Sequence, residues 1–287
     1  MNIREKAYAK LNISLDVTGR REDGYHEMLM VMQTVSLCDE LTLRPGGSGV
    51  RARSNLRYVP NDERNLAVRA ALRFFEAVPA AEQGLEIDMR KRIPVGAGMG
   101  GGSSDAAAVL RALNRASGAP LSREALCELA SAVGSDVAFC LLGGTMLATS
   151  RGEALSPLPP MPSCRFVIVK PSFSVSTPEL FRALDKNPPR IHPDTAGILD
   201  ALAAGTLPEL CRRMYNVFEE VDDRRMRSIR AIKGELLDGG ALGAMMTGTG
   251  SAVFGVFDDE QAAEACCARL QTQYPFVCTA EPVGTLL

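Results

Sequence analysis

The amino-acid sequence predicts an α+β fold of two domains, and three observations support this. Segments with strand periodicity and segments with helical periodicity follow one another without the strict alternation of a doubly wound sheet. The length of 287 residues suits one large or two moderate domains. A proline-rich stretch at residues 157–162 is typical of a linker. We therefore expect domains at residues 1–160 and 161–287.

The first predicted element is a strand near the N-terminus. Residues 11–17 alternate apolar and polar side chains, which is the period of a half-buried strand. The alternation puts three polar side chains on one face and three apolar ones on the other, namely Lys10, Asn12 and Asp16 opposite Leu11, Ile13 and Leu15. A polar loop at residues 19–27 follows, and residues 28–44 and 85–89 predict further strands.

Helices are predicted where a capping residue precedes apolar side chains at helical spacing. Asn65 and Ser122 are expected to cap two of them, and Gly134 is a natural end for the second. Between them, a helix is expected from about Ser104, after a run of glycines. Ser135 is expected to cap a short helix that contains Asp136.

The second half of the chain also mixes both kinds of element. Residues 165–170 and 252–257 predict strands, whereas residues 218–238 and 260–273 predict helices. A second glycine-rich loop lies at residues 247–251. Such a loop is expected either to form a wall of a phosphate site or to be a hairpin connector.

Composition disfavours several classes of function. A hydrophobic content of 46% argues against a disordered chain, and a net charge of −2 gives no reason to expect nucleic acid as a partner. No apolar run is long enough to span a bilayer, and residues 1–6 lack the apolar core of a secretory signal, so we expect a cytoplasmic protein. Eight cysteines without a C-x-x-C pair, together with only two histidines, disfavour a structural zinc site.

A glycine-rich segment at residues 94–104 lies between a predicted strand and a predicted helix. Its five glycines let backbone amides converge, and the following helix offers unpaired N–H groups, so the segment suits a di- or triphosphate. The alternative is a flexible loop or a tight turn. The predicted nucleotide-binding residues are Pro94, Val95, Gly96, Ala97, Gly98, Met99, Gly100, Gly101, Gly102, Ser103 and Ser104.

Two common phosphate-binding motifs do not match this segment. Walker A ends in Gly-Lys-Ser/Thr, whereas this run ends in Gly-Ser-Ser-Asp. A dinucleotide fingerprint requires a second strand that ends in an acidic residue about twenty residues further on, and residues 121–133 predict a helix there.

Residues 94–107 resemble instead the phosphate-binding signature of the GHMP kinases, the superfamily of galacto-, homoserine, mevalonate and phosphomevalonate kinases. Ala-Lys-Leu-Asn at residues 9–12, the loop at residues 20–27 with Asp-Gly-Tyr-His-Glu, and Gly-Ser-Asp-Val-Ala-Phe at residues 134–139 resemble the branch that phosphorylates a cytidylyl-diphosphate methylerythritol. Residues 175–178, 216–219 and 247–251 are similar to the same branch in the same order. Departures from the usual pattern are small, at Met99, Ser135 and Val217.

This resemblance implies a two-domain kinase with its active site in the cleft between the domains. It implies ATP as the phosphoryl donor with Mg²⁺, and the C2 hydroxyl of the cytidine diphosphate methylerythritol of the non-mevalonate isoprenoid pathway as the acceptor. Asp136 corresponds to the general base, and Lys10 faces it and holds it ionised. From the residues alone, Asp136 is equally an ordinary carboxylate in the first turn of a helix, and Lys10 a solvated strand lysine. The sequence shows no dedicated metal cage.

The resemblance also implies how the substrate is held. Asn12 orients it, Tyr25 stacks on the cytosine and His26 hydrogen-bonds to it, while Phe181 supplies the opposite stacking face with Thr177 nearby. The plain alternatives are a surface asparagine and an amphipathic pair that covers a core edge. Ser104 is expected either at the phosphates or magnesium, or merely at the helix cap.

Other functions remain open from the sequence. Another GHMP kinase such as a homoserine kinase is disfavoured by the loop at residues 23–27, because an amino acid offers no base for Tyr25 to stack on. A mevalonate diphosphate decarboxylase would share the fold, and a non-catalytic nucleotide-binding protein would keep it without turnover. The oligomeric state is either monomer or homodimer.

Overall fold

The computed structural model describes residues 2–79, 81 and 84–287 and contains a mixed first sheet and an antiparallel second sheet, both flanked by helices. The strands are β1 (Ile3–Arg20), β2 (His26–Pro45), β3 (Val50–Ser54), β4 (Leu85–Arg90), β5 (Thr145–Thr149), β6 (Ala154–Pro157), β7 (Arg165–Lys170), β8 (Tyr215–Asn216), β9 (Gly243–Met246), β10 (Val253–Phe257) and β11 (Phe276–Ala280). The first sheet has the order β3-β4-β2-β1-β8, with β5 pairing both β2 and β6. The second has the order β11-β7-β10-β9.

The helices are α1 (Leu66–Ala77), α2 (Gly101–Ala116), α3 (Arg123–Val133), α4 (Val137–Leu142), α5 (Thr177–Lys186), α6 (Thr195–Ala204), α7 (Leu207–Arg213), α8 (Arg224–Asp238) and α9 (Glu260–Gln271). A 3₁₀ helix at Val217–Glu220 precedes α8. The predicted α+β class is confirmed. None of the helices in the described part of the chain combines the length and the apolar character needed to cross a bilayer.

Local capping explains where several helices begin. The side chains of Asn65 and Ser122 accept hydrogen bonds from backbone amides of the first turns of α1 and α3, as the sequence predicts. Helix α2 begins at Gly101, about one turn before the predicted start, because Gly100 at φ +69° turns the chain into the helix. Asp136, rather than Ser135, precedes α4, and its side chain makes no capping hydrogen bond.

The predicted helix at residues 218–238 is divided into two helices. Asn216 accepts a hydrogen bond from the amide of Phe218 at 3.0 Å, which starts the 3₁₀ helix. Asp223 accepts another from the amide of Arg225 at 2.7 Å, which starts α8. Because each of these caps begins its own helix, the segment cannot be continuous.

Strand β1 contributes to both hydrophobic cores. Leu11 and Ile13 belong to a buried cluster that joins the two sheets and also contains Phe166, Ile168 and Phe254; we call it the sheet-to-sheet cluster. Leu15 belongs to the other cluster, which contains buried residues of α1–α4 and also of α8 and α9. The prediction that Leu15 shares a face with Leu11 and Ile13 is therefore wrong. A register shift in β1 between Asn12 and Ser14 lies between them, and such a bulge reverses the alternation.

Several backbone connections join the halves on either side of the proline-rich stretch. The second sheet is built from strands that follow residue 161, yet β8 pairs in parallel with β1 through Ser14 and Leu15. Near the end of the chain, the amide of Val283 donates to the carbonyl of Thr34 at 2.8 Å. The halves therefore share both backbone hydrogen bonds and a core, and β1 is the element that they have in common.

Candidate active site

A cavity of about 850 Å³ collects most of the predicted site residues. It is lined by the strand residue Lys10, by Tyr25 from the loop before β2 and His26 at the start of β2, by Asp136 just before α4, and by glycines of the predicted phosphate segment. Thr177 and Phe181 of α5 complete the opposite wall. Residues far apart in the sequence are thus brought to one space of a size suited to a nucleotide-like ligand.

A second cavity of about 370 Å³ lies on the other side of the glycine-rich segment. Gly96, Gly98, Gly100 and Ser103 line both spaces, so this segment separates them. The remaining wall of the smaller cavity includes Tyr58, Pro60, Asn65, Lys91 and Val95. The predicted phosphate segment therefore has a compartment on each side.

The glycine-rich segment packs against the second glycine-rich loop. Gly98 has φ +77°, and a Cβ built there would lie 2.2 Å from the carbonyl oxygen of Thr247, so only glycine fits. The amide of Lys10 donates to the carbonyl of Met99 at 3.1 Å, which ties the segment to β1. The conformation of the segment is therefore fixed by its neighbours, unlike that of a flexible surface loop.

Lys10 and Asp136 form the charged centre of the larger cavity. The Lys10 Nζ lies 3.7 Å from Asp136 Oδ2 and donates to Asn12 Oδ1 at 2.7 Å. The lysine side chain is 6% exposed and the aspartate side chain 32% exposed, so the carboxylate has room for a proton donor on its open side.

Asn12 lies behind Lys10 and does not line the cavity. Its side-chain oxygen accepts from Lys10, and its backbone amide donates to Thr247 Oγ1 at 3.1 Å. The Thr247 hydroxyl in turn donates toward the carbonyl of Gly98 at 3.4 Å. Asn12 is fully buried, so its position supports the lysine and the two glycine loops more directly than it supports a substrate.

The aromatic residues are arranged differently from the predicted open sandwich. Phe181 is stacked on the ring of His26, with centroids 4.5 Å apart and planes at 28°. Tyr25 is 56% exposed, and the guanidinium of Arg151 lies 5.1 Å from its ring centroid. The His26 ring is drawn to α5 because its Nε2 is hydrogen-bonded to Asp185 Oδ1 at 2.7 Å.

Thr177 and Ser104 differ in their relation to the cavity. The Thr177 hydroxyl is hydrogen-bonded to the Thr249 hydroxyl at 2.7 Å, which links α5 to the second glycine loop at the cavity wall. Ser104 is buried, lines neither cavity, and donates its hydroxyl to the carbonyl of Tyr8 at 2.5 Å. Its neighbour Ser103 lines both cavities, so the structure brings Ser103 and not Ser104 to the predicted phosphate site.

A buried charge cluster beneath the smaller cavity was missed by sequence reasoning. Lys91 forms ion pairs with Asp39 and Asp105 and donates to the carbonyl of Gly101 at 3.3 Å. Burial raises the pKa of Asp105 to about 7. The negative charge of Asp39 also raises this pKa, whereas the positive charge of Lys91 lowers it. Burial works against the charge of Lys91, but the two carboxylates outweigh it and raise the pKa of its ammonium group.

Two other residues of the larger cavity were also missed. Asp185 and Arg151 carry no motif of their own. Asp185 follows Phe181 by four residues, the spacing that puts side chains on one helix face, so this signal was present in the sequence. Arg151 follows Ser150, whose φ of +60° is set by a turn that sequence patterns do not reveal.

Two further features of the surface bear on function. A depression of about 970 Å³ on the first sheet is lined by residues such as Arg4, Arg53 and Arg90 and contains none of the predicted site residues. Within residues 2–79, 81 and 84–287, no group of three or more metal-binding side chains of His, Cys, Asp or Glu is present.

Comparison with known proteins identifies the family. The model described as "GHMP kinases N terminal domain" matches residues 65–144, and "GHMP kinases C terminal" matches residues 198–275. The chain is 44% identical to the 4-diphosphocytidyl-2-C-methyl-D-erythritol kinase of Syntrophomonas wolfei, over 95% of each chain. It is 42% identical to the enzyme of that name from Clostridium kluyveri, over 94% of this chain and 96% of the relative.

Solved structures agree with the sequence relatives. A crystal structure of a 4-(cytidine 5'-diphospho)-2C-methyl-D-erythritol kinase superposes with a TM-score of 0.83 at 35% identity, covering 98% of this chain and all of the other. A homoserine kinase from Cytophaga hutchinsonii superposes with a TM-score of 0.76 at 22% identity, covering 99% and 95%, and shares the fold alone. This chain thus belongs to the 4-diphosphocytidyl-2-C-methyl-D-erythritol kinase family of the GHMP kinases.

Proposed function

We propose that the protein transfers the γ-phosphate of ATP to the C2 hydroxyl of 4-diphosphocytidyl-2-C-methyl-D-erythritol, giving the 2-phosphate and ADP. This step belongs to the non-mevalonate route to isoprenoid precursors. The observation that carries the proposal is the Lys10–Asp136 pair, which faces the same cavity as the glycine-rich segment and the loop with Tyr25 and His26. Family membership at more than 40% identity supports the choice of substrate.

The chemistry assigned to the chain is that of a positioned hydroxyl. The substrate oxygen attacks the γ-phosphorus, the bond from that phosphorus to the ADP oxygen breaks, and the hydroxyl proton passes to Asp136. Lys10 keeps the carboxylate ionised before the transfer and stabilises negative charge on the attacking oxygen. Asn12 holds the lysine ammonium in place through its 2.7 Å hydrogen bond.

The two ligands are assigned to the two compartments. Residues 94–104 would hold the ATP phosphates through backbone amides. The Ser104 hydroxyl would take no part in this binding, because it donates to the carbonyl of Tyr8. Tyr25, His26 and Phe181 would hold the cytosine, with Thr177 at the edge of the same wall. Asn65 and Lys91 line the smaller cavity, which we assign to the adenosine part of ATP.

Magnesium is part of this proposal because ATP phosphates need charge neutralisation. The site fits a metal that is bound mostly by phosphate oxygens and water, since Mg²⁺ keeps several waters and needs only one or two protein oxygens. Ser103, which lines both cavities, would offer a hydroxyl oxygen to such an ion. When bound, the ion would neutralise charge on the transferred group.

A substrate panel tests the assignment. Purified protein is supplied with ATP and magnesium together with the cytidylyl substrate, homoserine or mevalonate, and ADP release is followed. We expect turnover with the cytidylyl substrate alone. Turnover only with homoserine or mevalonate would reject the substrate, and ATP binding without any turnover would indicate a non-catalytic nucleotide-binding protein.

Further properties follow from the assigned function. We propose a cytoplasmic enzyme whose partner is this small molecule and not nucleic acid, in keeping with the net charge of −2. We also propose that the two domains meet at residues 160 and 161 and that the protein works as a monomer or a homodimer.

A further inference from the structure

We infer that Asp185 fixes the tautomer of His26, so that the cavity offers a hydrogen-bond acceptor to an aminopyrimidine and rejects an oxopyrimidine. The inference rests on the proposed function, because it assumes that a pyrimidine base occupies the wall formed by Tyr25, His26 and Phe181. It assigns to Asp185 the role of a positioning residue that acts through His26.

The first step is the position of the proton on the imidazole. His26 Nε2 lies 2.7 Å from Asp185 Oδ1. An ionised carboxylate only accepts hydrogen bonds, so the hydrogen between them belongs to Nε2. The hydrogen bond from His26 holds the pKa of Asp185 below its usual value, and Arg20 lies 4.0 Å away on the same carboxylate, so Asp185 is kept ionised.

The second step is the immobility of the ring. The imidazole is held at one edge by Asp185 and on one face by Phe181, with centroids 4.5 Å apart. The Phe181 ring in turn packs edge-to-face with the ring of Phe218, with ring centroids 5.0 Å apart. The His26 side chain is 13% exposed. With both restraints in place, the ring cannot exchange Nδ1 for Nε2 by rotation without losing its hydrogen bond.

The third step is what remains for a ligand. With the proton on Nε2, the Nδ1 of a neutral imidazole is an acceptor. Among the described residues, Nδ1 has no hydrogen-bond partner, and His26 lines the larger cavity. Such an acceptor pairs with an exocyclic amino group, as in cytosine. The carbonyl oxygen that uracil carries at the same position would instead face the lone pair of Nδ1. Neither the uracil oxygen nor Nδ1 would then have a hydrogen-bond donor.

The second histidine provides an internal reference. His192 is hydrogen-bonded to Asp16 through Nδ1, at 2.8 and 3.0 Å from the two carboxylate oxygens. By the same reasoning its proton belongs to Nδ1. The sequence contains only these two histidines, so the protein should show one ring of each tautomer.

Nitrogen NMR of ¹⁵N-histidine-labelled protein tests the tautomer without any assay of activity. At about pH 8, where an ordinary histidine is neutral, we expect His26 to have a protonated Nε2 and His192 a protonated Nδ1, with His192→Gln assigning the signals. Asp185→Ala should convert the His26 pattern to a mixture of tautomers and leave that of His192 unchanged. A protonated Nδ1 on His26 in the unaltered protein would overturn the inference.

Base discrimination tests the consequence. We expect Asp185→Ala to lower the ratio of kcat/KM for the cytidylyl substrate over its uridylyl analogue by about tenfold or more, mainly through KM for the cytidylyl form. Glu179→Ala is the matched control, because it removes a carboxylate of α5 that contacts Arg225 and not His26, and it should leave the ratio unchanged. An unaltered ratio in Asp185→Ala would refute the inference. Failure of the unaltered protein to use either substrate would instead refute the proposed function, and the NMR result would stand apart from it.

Discussion

Lys10 brings a positive charge into the larger cavity on a side chain that is almost completely buried, and Asn12 and Asp136 are its polar neighbours. A buried ammonium group needs such partners because desolvation opposes its charge. The sequence pattern indicated the face of β1 that carries Lys10 and Asn12. It could not indicate that Asp136 would meet them, since the pairing spans 126 positions and depends on the packing of α4.

The role of Asp136 is testable by a change that keeps its shape. We expect Asp136→Asn to lower kcat by about 10²- to 10⁴-fold, because the amide cannot accept the hydroxyl proton, while the Kd of an ATP analogue stays unchanged. Steady-state ADP release and calorimetric titration measure the two effects. Asp238→Asn is the control, since Asp238 is exposed at the end of α8. Near-normal turnover in Asp136→Asn would remove it from the role of base.

The cluster of Lys91, Asp39 and Asp105 gives a prediction on pH. The pKa of Asp105 is raised from 3.8 to about 7, so between these values the folded protein holds a proton that the unfolded chain has released. Over this window the contribution of Asp105 to the free energy of unfolding falls as pH rises. Asp105→Asn has no such proton, so its stability relative to the unaltered protein should rise with pH, by at most about 1.4 kcal/mol per pH unit.

Urea unfolding at several pH values measures this difference. Asp62→Asn serves as the control, because Asp62 is exposed and its hydrogen bonds to Arg64 hold its pKa below 3.8, so its effect should be flat across the same window. A constant difference between Asp105→Asn and the unaltered protein would show that Asp105 is ionised throughout. The cluster itself was not predictable, because Lys91 stands between two arginines, a run typical of a solvated surface.

At the scale of elements, the two glycine-rich loops act as one unit. Gly98 and Thr247 are in contact, and Gly248 would also lose its place against Gly98 if it carried a side chain, since a Cβ there would lie 2.9 Å from the Gly98 carbonyl. Because the two loops are in such close contact, a shift of residues 94–104 would also displace residues 247–251. We therefore expect the proposed nucleotide and acceptor sites to be coupled through these backbone contacts.

Gly98→Ala tests this coupling. The variant combines an unfavourable positive φ with a clash against a backbone carbonyl, so we expect it to lose several kcal/mol of stability, on the order of 3, and to weaken ATP binding at least about tenfold. Gly118→Ala is the control: its φ is +80° but its surroundings are open, so it should lose only about 1 to 2 kcal/mol and keep ATP binding. Denaturant unfolding and ATP titration distinguish them. Equal effects from both variants would mean that the contact between the loops is unimportant.

The elements were predictable to the degree that their causes are local. Caps at Asn65 and Ser122 and the long β2 strand follow from neighbouring residues, and the structure agrees. Strands β5, β6, β9 and β11 were missed because short strands are defined by partners elsewhere in the chain. The division of residues 218–238 also escaped prediction, because the apolar spacing continues across the break and only the caps reveal it.

At the scale of the whole molecule, Asn216 joins the two halves. It lies in β8, which pairs with β1, and its side-chain amide donates to the carbonyls of Met246 and Gly248, both at 2.8 Å. A two-residue strand that pairs with one some 200 positions earlier has no sequence signal, so this connection was beyond prediction.

Replacing Asn216 by alanine should therefore destabilise the whole fold. Two buried carbonyls lose their donors, and at about 1 to 3 kcal/mol each we expect a total loss of about 2 to 6 kcal/mol. Asn187→Ala, at an exposed position after α5, should change stability by less than about 0.5 kcal/mol. The free energy of unfolding from denaturant titration measures both. A loss in Asn216→Ala no greater than in the control would show that the two halves are held together by other contacts.

The shared strand also constrains how the enzyme can exchange its ligands. Lys10 and Asn12 lie on β1, which is hydrogen-bonded to β8 and packed in the sheet-to-sheet cluster, so opening the halves like a hinge would break that cluster. We therefore expect the proposed catalytic groups to be in place before a ligand binds, so that rigid-body closure adds little to the chemical step. We expect the slow events of turnover to lie at the rim, where exposed Tyr25 and its loop admit the acceptor and release the product.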